Sequence, residues 1–308
     1  MKRLVIDTDP GVDDAHAILM ALAYPGAQVE AITTVAGNVP LERTTANALT
    51  ILDVAERLVP VYAGCDRAIL AVKEDASHVH GSDGLGNTDY PPSMRKVESE
   101  HAVQALVRLA DQSPGELTLV TIGPLTNVAL ALRLDPALPE KYAGLVVMGG
   151  AIRSMGNTSH ISAEFNIFSD PEAGAIVFDA WKDFTLVSWE TTMANPFTPE
   201  KIDRLGTFNN PRSKFFHEIS QNTIKFIQEV LGRQVLFAAD SLAMAVALEP
   251  DIVTSAEHRF VQVETEGNRT RGQTTVDWFN LSRREANANI VLEVDRERFW
   301  QLMEMSVK

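Results

Sequence analysis

Arg3-Leu4-Val5-Ile6-Asp7-Thr8-Asp9-Pro10-Gly11-Val12-Asp13-Asp14-Ala15-His16-Ala17-Ile18 places four carboxylates within eight residues, directly after an aliphatic run. Residues 4–6 are apolar and continuous, as in a parallel strand covered on both faces. Residues 15–23 are rich in Ala, Leu, Ile and Met and predict a helix. Pro10-Gly11 ends the strand, and Asp13 or Asp14 can cap the helix by accepting its unpaired N–H groups. The stretch therefore reads as a strand-to-helix turn of an α/β fold.

A single aspartate at such a turn is ordinarily a cap. Asp7, Asp9, Asp13 and Asp14 together repel one another unless protons, the helix N-terminus or a cation compensates. A divalent cation is the simplest compensation. Oxygen donors point to calcium or magnesium and away from zinc, which His and Cys would mark. One rival shares the spacing: phosphatases with an aspartyl nucleophile also begin Asp-x-Asp after a first strand. They carry a hydroxyl residue two positions after the second Asp, where this chain has Gly11, and the turn offers no Lys or Arg for phosphate.

The chain has 308 residues, of which 45% are hydrophobic, enough for a large core. Strands and helices alternate to its end without a linker, so residues 1–308 are read as one domain. The net charge of −14 argues against a nucleic-acid backbone or an anionic membrane as partner. The lone Cys65 excludes an internal disulfide. No N-terminal apolar segment resembles a signal peptide or membrane span, so a cytoplasmic location is expected.

Further strands are predicted at residues 29–35, 61–64, 117–122, 145–148 and 184–187, and helices at 41–58, 102–111 and 171–180. Residues 199–232 read as helical with a break near Asn209-Asn210-Pro211. Asp240 lies near the start of an Ala/Leu/Met helix reaching Leu248, where capping is its plain role. Segments 260–263, 274–276 and 289–294, with the helix from Arg296, are expected to pack on the sheet edge. Residues 66–99 are polar and broken, with His78 and His80 at their centre, and a loop of that length in a compact domain is often functional. Lacking Cys or helical spacing, the two histidines are not read as a metal pair; His80 is expected to orient the loop or touch a ligand.

Four strand ends carry polar or glycine-rich turns: Asp7 to Asp14, Asn38, Ile122-Gly123 and Met148 to Gly150. Ligands of open parallel sheets bind outside the carboxyl ends of the strands, so these turns are expected to share one crevice.

Asp7-Thr8-Asp9-Pro10-Gly11-Val12-Asp13-Asp14 closely resembles the signature of the inosine-uridine preferring nucleoside hydrolases. Ala31 to Asn38, His78-Val79-His80-Gly81, Gly123 to Asn127, Val147 to Gly150 and Ala163-Glu164-Phe165-Asn166 resemble further blocks of that family, in its order. The resemblance implies a mixed, mostly parallel sheet flanked by helices in a Rossmann-like α/β fold, a tightly held calcium ion, and hydrolysis of ribonucleosides to ribose and free base. Carried over by position, Asp9, Asp14, Asp240 and the main-chain carbonyl of Ile122 would hold the calcium, and Asp9 would be the general base. Asp13, Asn38, Met148, Asn157, Glu164 and Asn166 would line the ribose pocket, with His80 beside it. A homodimer or homotetramer is expected from the family. Pyrimidine-cleaving members carry a His before the last calcium aspartate, where this chain has Ala239, so a purine or modified purine ribonucleoside is the expected substrate. A ribonucleoside sensor without turnover is the alternative of a different class. Trp189, Phe226 and Phe165 are expected to be core aromatics first and base-stacking residues second.

Overall fold

Strand β1 (Lys2–Thr8) lies inside an eight-stranded sheet, and its alternate side chains feed two separate cores. Leu4 and Ile6 enter one and Val5 the other, which is why the run is aliphatic without interruption. The computed structural model describes residues 1–70 and 75–308. After β1 come α1 (Val12–Ala23), β2 (Ala27–Thr34), α2 (Leu41–Val54), β3 (Val61–Ala63), α3 (Ser77–His80) and α4 (Ala102–Gln112). The middle of the chain forms β4 (Leu117–Thr121), α5 (Thr126–Leu134), α6 (Leu138–Lys141), β5 (Gly144–Met148), α7 (Phe165–Ser169), α8 (Pro171–Ala180), β6 (Phe184–Val187) and α9 (Trp189–Met193). The remainder forms α10 (Pro199–Leu205), α11 (Pro211–Leu231), α12 (Ala239–Leu248), β7 (Val253–Arg259), β8 (Val261–Val263), β9 (Thr274–Val276), β10 (Ala288–Val294) and α13 (Arg296–Val307).

The strand order is β3-β2-β1-β4-β5-β6-β10-β7, with every neighbouring pair parallel except β10 and β7. The chain builds outward from β1 to β3, then returns to place β4 on the other side of β1. The topological switch point thus lies between β1 and β4, and a crevice opens there. One face of the sheet is covered by α1, α2, α11, α12 and α13, the other by α4, α5 and α8. All ten residues of α12 are buried, so this helix carries Asp240 into the interior with it.

Two expectations are corrected. The C-terminal segments do not simply line an edge. β10 is inserted between β6 and β7, α13 packs on α1, and β8 and β9 form a separate antiparallel ribbon. The edge strand is β7, whose Glu257, His258 and Arg259 hide it from an apolar-pattern reading. An antiparallel edge strand needs little apolar surface, and charge there discourages pairing with another chain. The segment 66–99 includes the short helix α3; its residues 71–74 lie outside the described residues. No helix among the described residues is long and apolar enough to cross a membrane.

Candidate active site

The turn after β1 buries its carboxylates. Asp7, Asp9 and Asp14 are inaccessible to solvent, and Asp240 is 3% exposed. Asp14 closes the first turn of α1 by accepting the Gly11 N–H at 2.9 Å, and its other oxygen accepts from Thr8 Oγ1 at 2.5 Å. Asp13, one residue earlier, is therefore left free to face the crevice. Asn38, at the end of β2, stitches the cluster together. Its main-chain N–H donates to Asp9 Oδ2 at 2.7 Å, and its Nδ2 donates to Asp9 O at 3.1 Å and Asp14 Oδ2 at 3.0 Å.

Gly37 and Gly123 press on Asp9 from two sides. A Cβ at Gly37 would lie 2.1 Å from Asp9 Oδ2, and one at Gly123 would lie 2.6 Å from Asp9 Oδ1. Only glycine leaves room for the carboxylate at these two strand ends.

Asp7, although part of the acidic run, turns elsewhere. Its Oδ1 accepts from Thr33 Oγ1 at 2.5 Å and Asn127 Nδ2 at 2.9 Å. Burial pushes this carboxyl up to about 7. Asp7 thus ties β1 to β2 and α5 beneath the site.

The remaining four carboxylates face an electrostatic problem. Burial and the charge of Asp14 raise Asp9 well above the usual carboxylate range. Burial and the charges of Asp13, Asp14 and Asp9 do the same to Asp240. Asp13 and Asp14 are pushed up to about 6, chiefly by burial. Asp9 Oδ1 is buried without a hydrogen-bond partner. Among the described residues, Asp13, Asp14 and Asp240 each offer a carboxylate oxygen, all within 4.8 Å of one another. Ligand oxygens around one calcium ion lie at most about 5 Å apart, twice the metal–oxygen distance, so the cluster fits a hard divalent cation. The group of three includes Asp13, which the sequence placed on the sugar, and leaves Asp9 just outside it.

Beside this cluster opens a cavity of about 380 Å³. The predicted residues Asp13, Asn38 and Ile122 line it from the turns after the strands, His80 from α3 and Asp240 from α12. Met148, Asn157, Glu164 and Asn166 line it from the β5 side. Asp9 and Asp14 lie beneath this floor, outside the lining. Glu164 caps α7, accepting from the N–H groups of Asn166 and Ile167 at 2.9 and 3.2 Å, and from Gly150 N–H at 2.8 Å. Burial pushes it up to about 7 against the pull of those three donors. Asn166 Nδ2 donates to the Met148 carbonyl at 3.3 Å, and Asn157 Oδ1 accepts from Phe165 N–H at 2.9 Å.

His80 accepts the Val12 N–H through Nδ1 at 3.1 Å, so its neutral ring carries the proton on Nε2. Burial lowers its pKa to about 4, and the ring stays neutral at physiological pH. It can donate a hydrogen bond but carries no proton to give away.

The opposite wall is apolar. Trp189, Met193, Phe226, Ile227 and Phe237 supply it from α9, α11 and the segment before α12. Trp189, Phe226 and Phe165 all line the cavity, and Trp189 also packs against the main core that holds α1 and α12. Ile227, Phe237 and Val235 form a small apolar cluster of their own, apart from both main cores, with Trp189, Met193 and Phe226 packed against it. This wall was not legible from the sequence, because a helical apolar stripe has the same spacing whether it meets a core or a cavity.

A switch-point crevice floored by carboxylates and amides is the site of an α/β hydrolase of N-glycosyl bonds, as its likenesses show. The chain belongs to the family of inosine-uridine preferring nucleoside hydrolases, whose family model matches residues 4–301. It is 34% identical over 307 residues to the pyrimidine-specific ribonucleoside hydrolase RihB of Escherichia coli K12, covering 100% of this chain and 97% of that one. Among solved structures it is similar to the purine-preferring ribonucleoside hydrolase from Gardnerella vaginalis, with TM-score 0.92 and 31% identity over 99% of this chain and 98% of that one. An inosine-guanosine nucleoside hydrolase matches equally well, with TM-score 0.92 and 33% identity over the same shares. The substrate of this family is a nucleoside, and the aspartyl-phosphatase alternative has no support here.

Proposed function

We propose that the chain is a calcium-dependent ribonucleoside hydrolase that releases ribose and a free purine or modified purine base. The observation that carries this reading is the Asp13–Asp14–Asp240 cluster set beside a cavity with a polar floor and an apolar wall. A polyhydroxylated sugar matches the floor and a flat base the wall.

Asp14, Asp240 and the Ile122 carbonyl would hold the ion, with Asp9 or Asp13 completing the carboxylate set. Bound there, calcium would supply a positive charge that keeps these carboxylates ionised and an anchor for water and the ribose diol. Asp9 acts as general base: Asn38 holds its Oδ2, and its Oδ1 has no protein hydrogen bond to give up. Asn38, Asn157, Glu164 and Asn166 orient the ribose, with the Met148 main chain and His80 Nε2–H beside them. Glycosidic cleavage builds positive charge on the sugar, which an acidic floor stabilises.

The base preference rests on Ala239, which lines the cavity where it can donate no proton. A pyrimidine leaves poorly without a donor at that position. The similar proteins divide between pyrimidine-specific and purine-preferring, so the panel must contain both.

The test is release of reducing sugar from inosine, adenosine, guanosine, uridine, cytidine, 2′-deoxyinosine and p-nitrophenyl riboside, with and without prolonged chelation. Inosine is expected to exceed uridine, and 2′-deoxyinosine to fall far below inosine, because the lost hydroxyl leaves buried polar groups unpaired. Uridine cleaved as fast as inosine would overturn the base preference. An Asp9→Asn protein with unimpaired turnover would remove Asp9 as the base, and a wild type that binds ribosides without cleaving them would be a sensor.

A further inference from the structure

The cavity contains one histidine that the family reading does not use. His78 lies on α3 at the apolar wall, its ring edge-on to Phe226 with centroids 5.2 Å apart. The other titratable lining groups, Asp13, Glu164, Asp240 and His80, line the cavity with the polar side chains of the floor. His80 is spent on Val12 N–H, and Thr223 Oγ1 is spent on the Val79 carbonyl at 3.1 Å.

Resting on the ribonucleoside-hydrolase reading above, we propose that His78 is the acid that protonates the departing base. The step balances without a further reagent. The C1′–N bond breaks, its electron pair goes to the purine, and purine N7, a nitrogen that uridine and cytidine lack, takes a proton from the His78 imidazolium. Water adds to C1′ and yields a proton to Asp9; solvent reprotonates His78.

Three features suit the role. His78 is exposed, so it exchanges protons with solvent, whereas His80 is buried. Its loop is held firmly, since Asn222 Nδ2 and Thr223 Oγ1 both donate to the Val79 carbonyl next to it, at 2.8 and 3.1 Å. On α11 the ring that faces it is Phe226, which does not titrate, and the neighbouring Asn222 and Thr223 are uncharged.

The experiment compares kcat of wild type, His78→Ala and His78→Phe on inosine and on p-nitrophenyl riboside, whose phenolate departs without a proton. Both variants should lose about 10²–10⁴-fold on inosine, the usual contribution of a general acid, and less than about tenfold on the activated riboside. The phenyl ring preserves packing against Phe226, so inosine turnover retained by His78→Phe would overturn the proposal. An equal loss on both substrates would overturn it too, because it would mark a positional defect. A wild type unable to cleave the activated riboside would overturn the hydrolase reading and this inference together.

Discussion

Asn38 shows how much a single residue's role depends on where the chain places it. From sequence it was a polar residue at a strand end, assigned to the sugar. In the fold its main-chain and side-chain N–H groups are engaged by Asp9 and Asp14, so it sets the geometry of the acidic floor as well as facing the cavity. Glu164 is similar: a capping residue of α7 that also lines the site. Burial pushes its carboxyl up to about 7 in the folded state, from an ordinary 4.5. A folded-state pKa raised in this way means that its stabilising contribution is full below about 4.5 and lost as pH rises through about 7. Glu164→Gln removes that titration. The stability of the Gln variant relative to wild type should therefore improve between pH 4.5 and 8, by on the order of 3 kcal/mol at most. Urea unfolding of both proteins across this range checks the sign. A constant difference would show that folding does not raise the Glu164 pKa. Inosine turnover of the same variant should fall most above about pH 7, where the wild-type carboxyl is ionised and an amide cannot offer the sugar its negative charge.

At the scale of elements, α11 was legible as a helix with a break before Pro211, and Asn210 caps it by accepting Ser213 N–H at 3.0 Å. Its partner was not legible. α11 holds α3 over the cavity through two hydrogen bonds to one carbonyl, Val79 O, from side chains 143 and 144 residues away. Such long-range pairing leaves no periodic trace in a sequence. Replacing both donors, in Asn222→Leu with Thr223→Val, should release α3 while leaving the cores intact. At about 1 kcal/mol per hydrogen bond, KM for a purine nucleoside is expected to rise about five- to thirtyfold with a small change in Tm. Steady-state kinetics and a thermal melt on the same preparation separate the two effects. An unchanged KM would mean that α3 keeps its place without these bonds.

For the whole molecule, the acidic cluster sits where β1, β2 and β4 end and where α1 and α12 begin, so an ion bound there would join both sides of the switch point. Removing it should destabilise more than one element. Prolonged chelation at neutral pH is expected to lower Tm by several degrees. An ion at a hundred times its dissociation constant adds about 2.7 kcal/mol, and each kcal/mol moves a domain of this size by about 2–4 °C or somewhat less. Calcium should restore the melt more fully than magnesium, which demands tighter octahedral geometry; an unchanged melt would argue against a resident ion. The aliphatic run, the Asp-rich turn, the strand-ending glycines and the alternation of strands with helices were enough to determine the α/β class and the family. They also predicted that the strand ends at Asp13, Asn38, Ile122 and Met148 share one cavity, because strand ends in a parallel sheet converge on one side; His80, Asn157, Glu164, Asn166 and Asp240, which line it too, were placed in the site by the family resemblance or their loop and not by strand geometry. Which carboxylate turns into the cluster and which turns away, as Asp7 does, was decided only by tertiary neighbours such as Thr33 and Asn127. So were the apolar wall, the pairing of α3 with α11, and the place of β10 inside the sheet. Local sequence specifies which elements form and which of their faces are apolar; only packing determines whether an apolar face meets the core, a neighbouring helix or an open cavity.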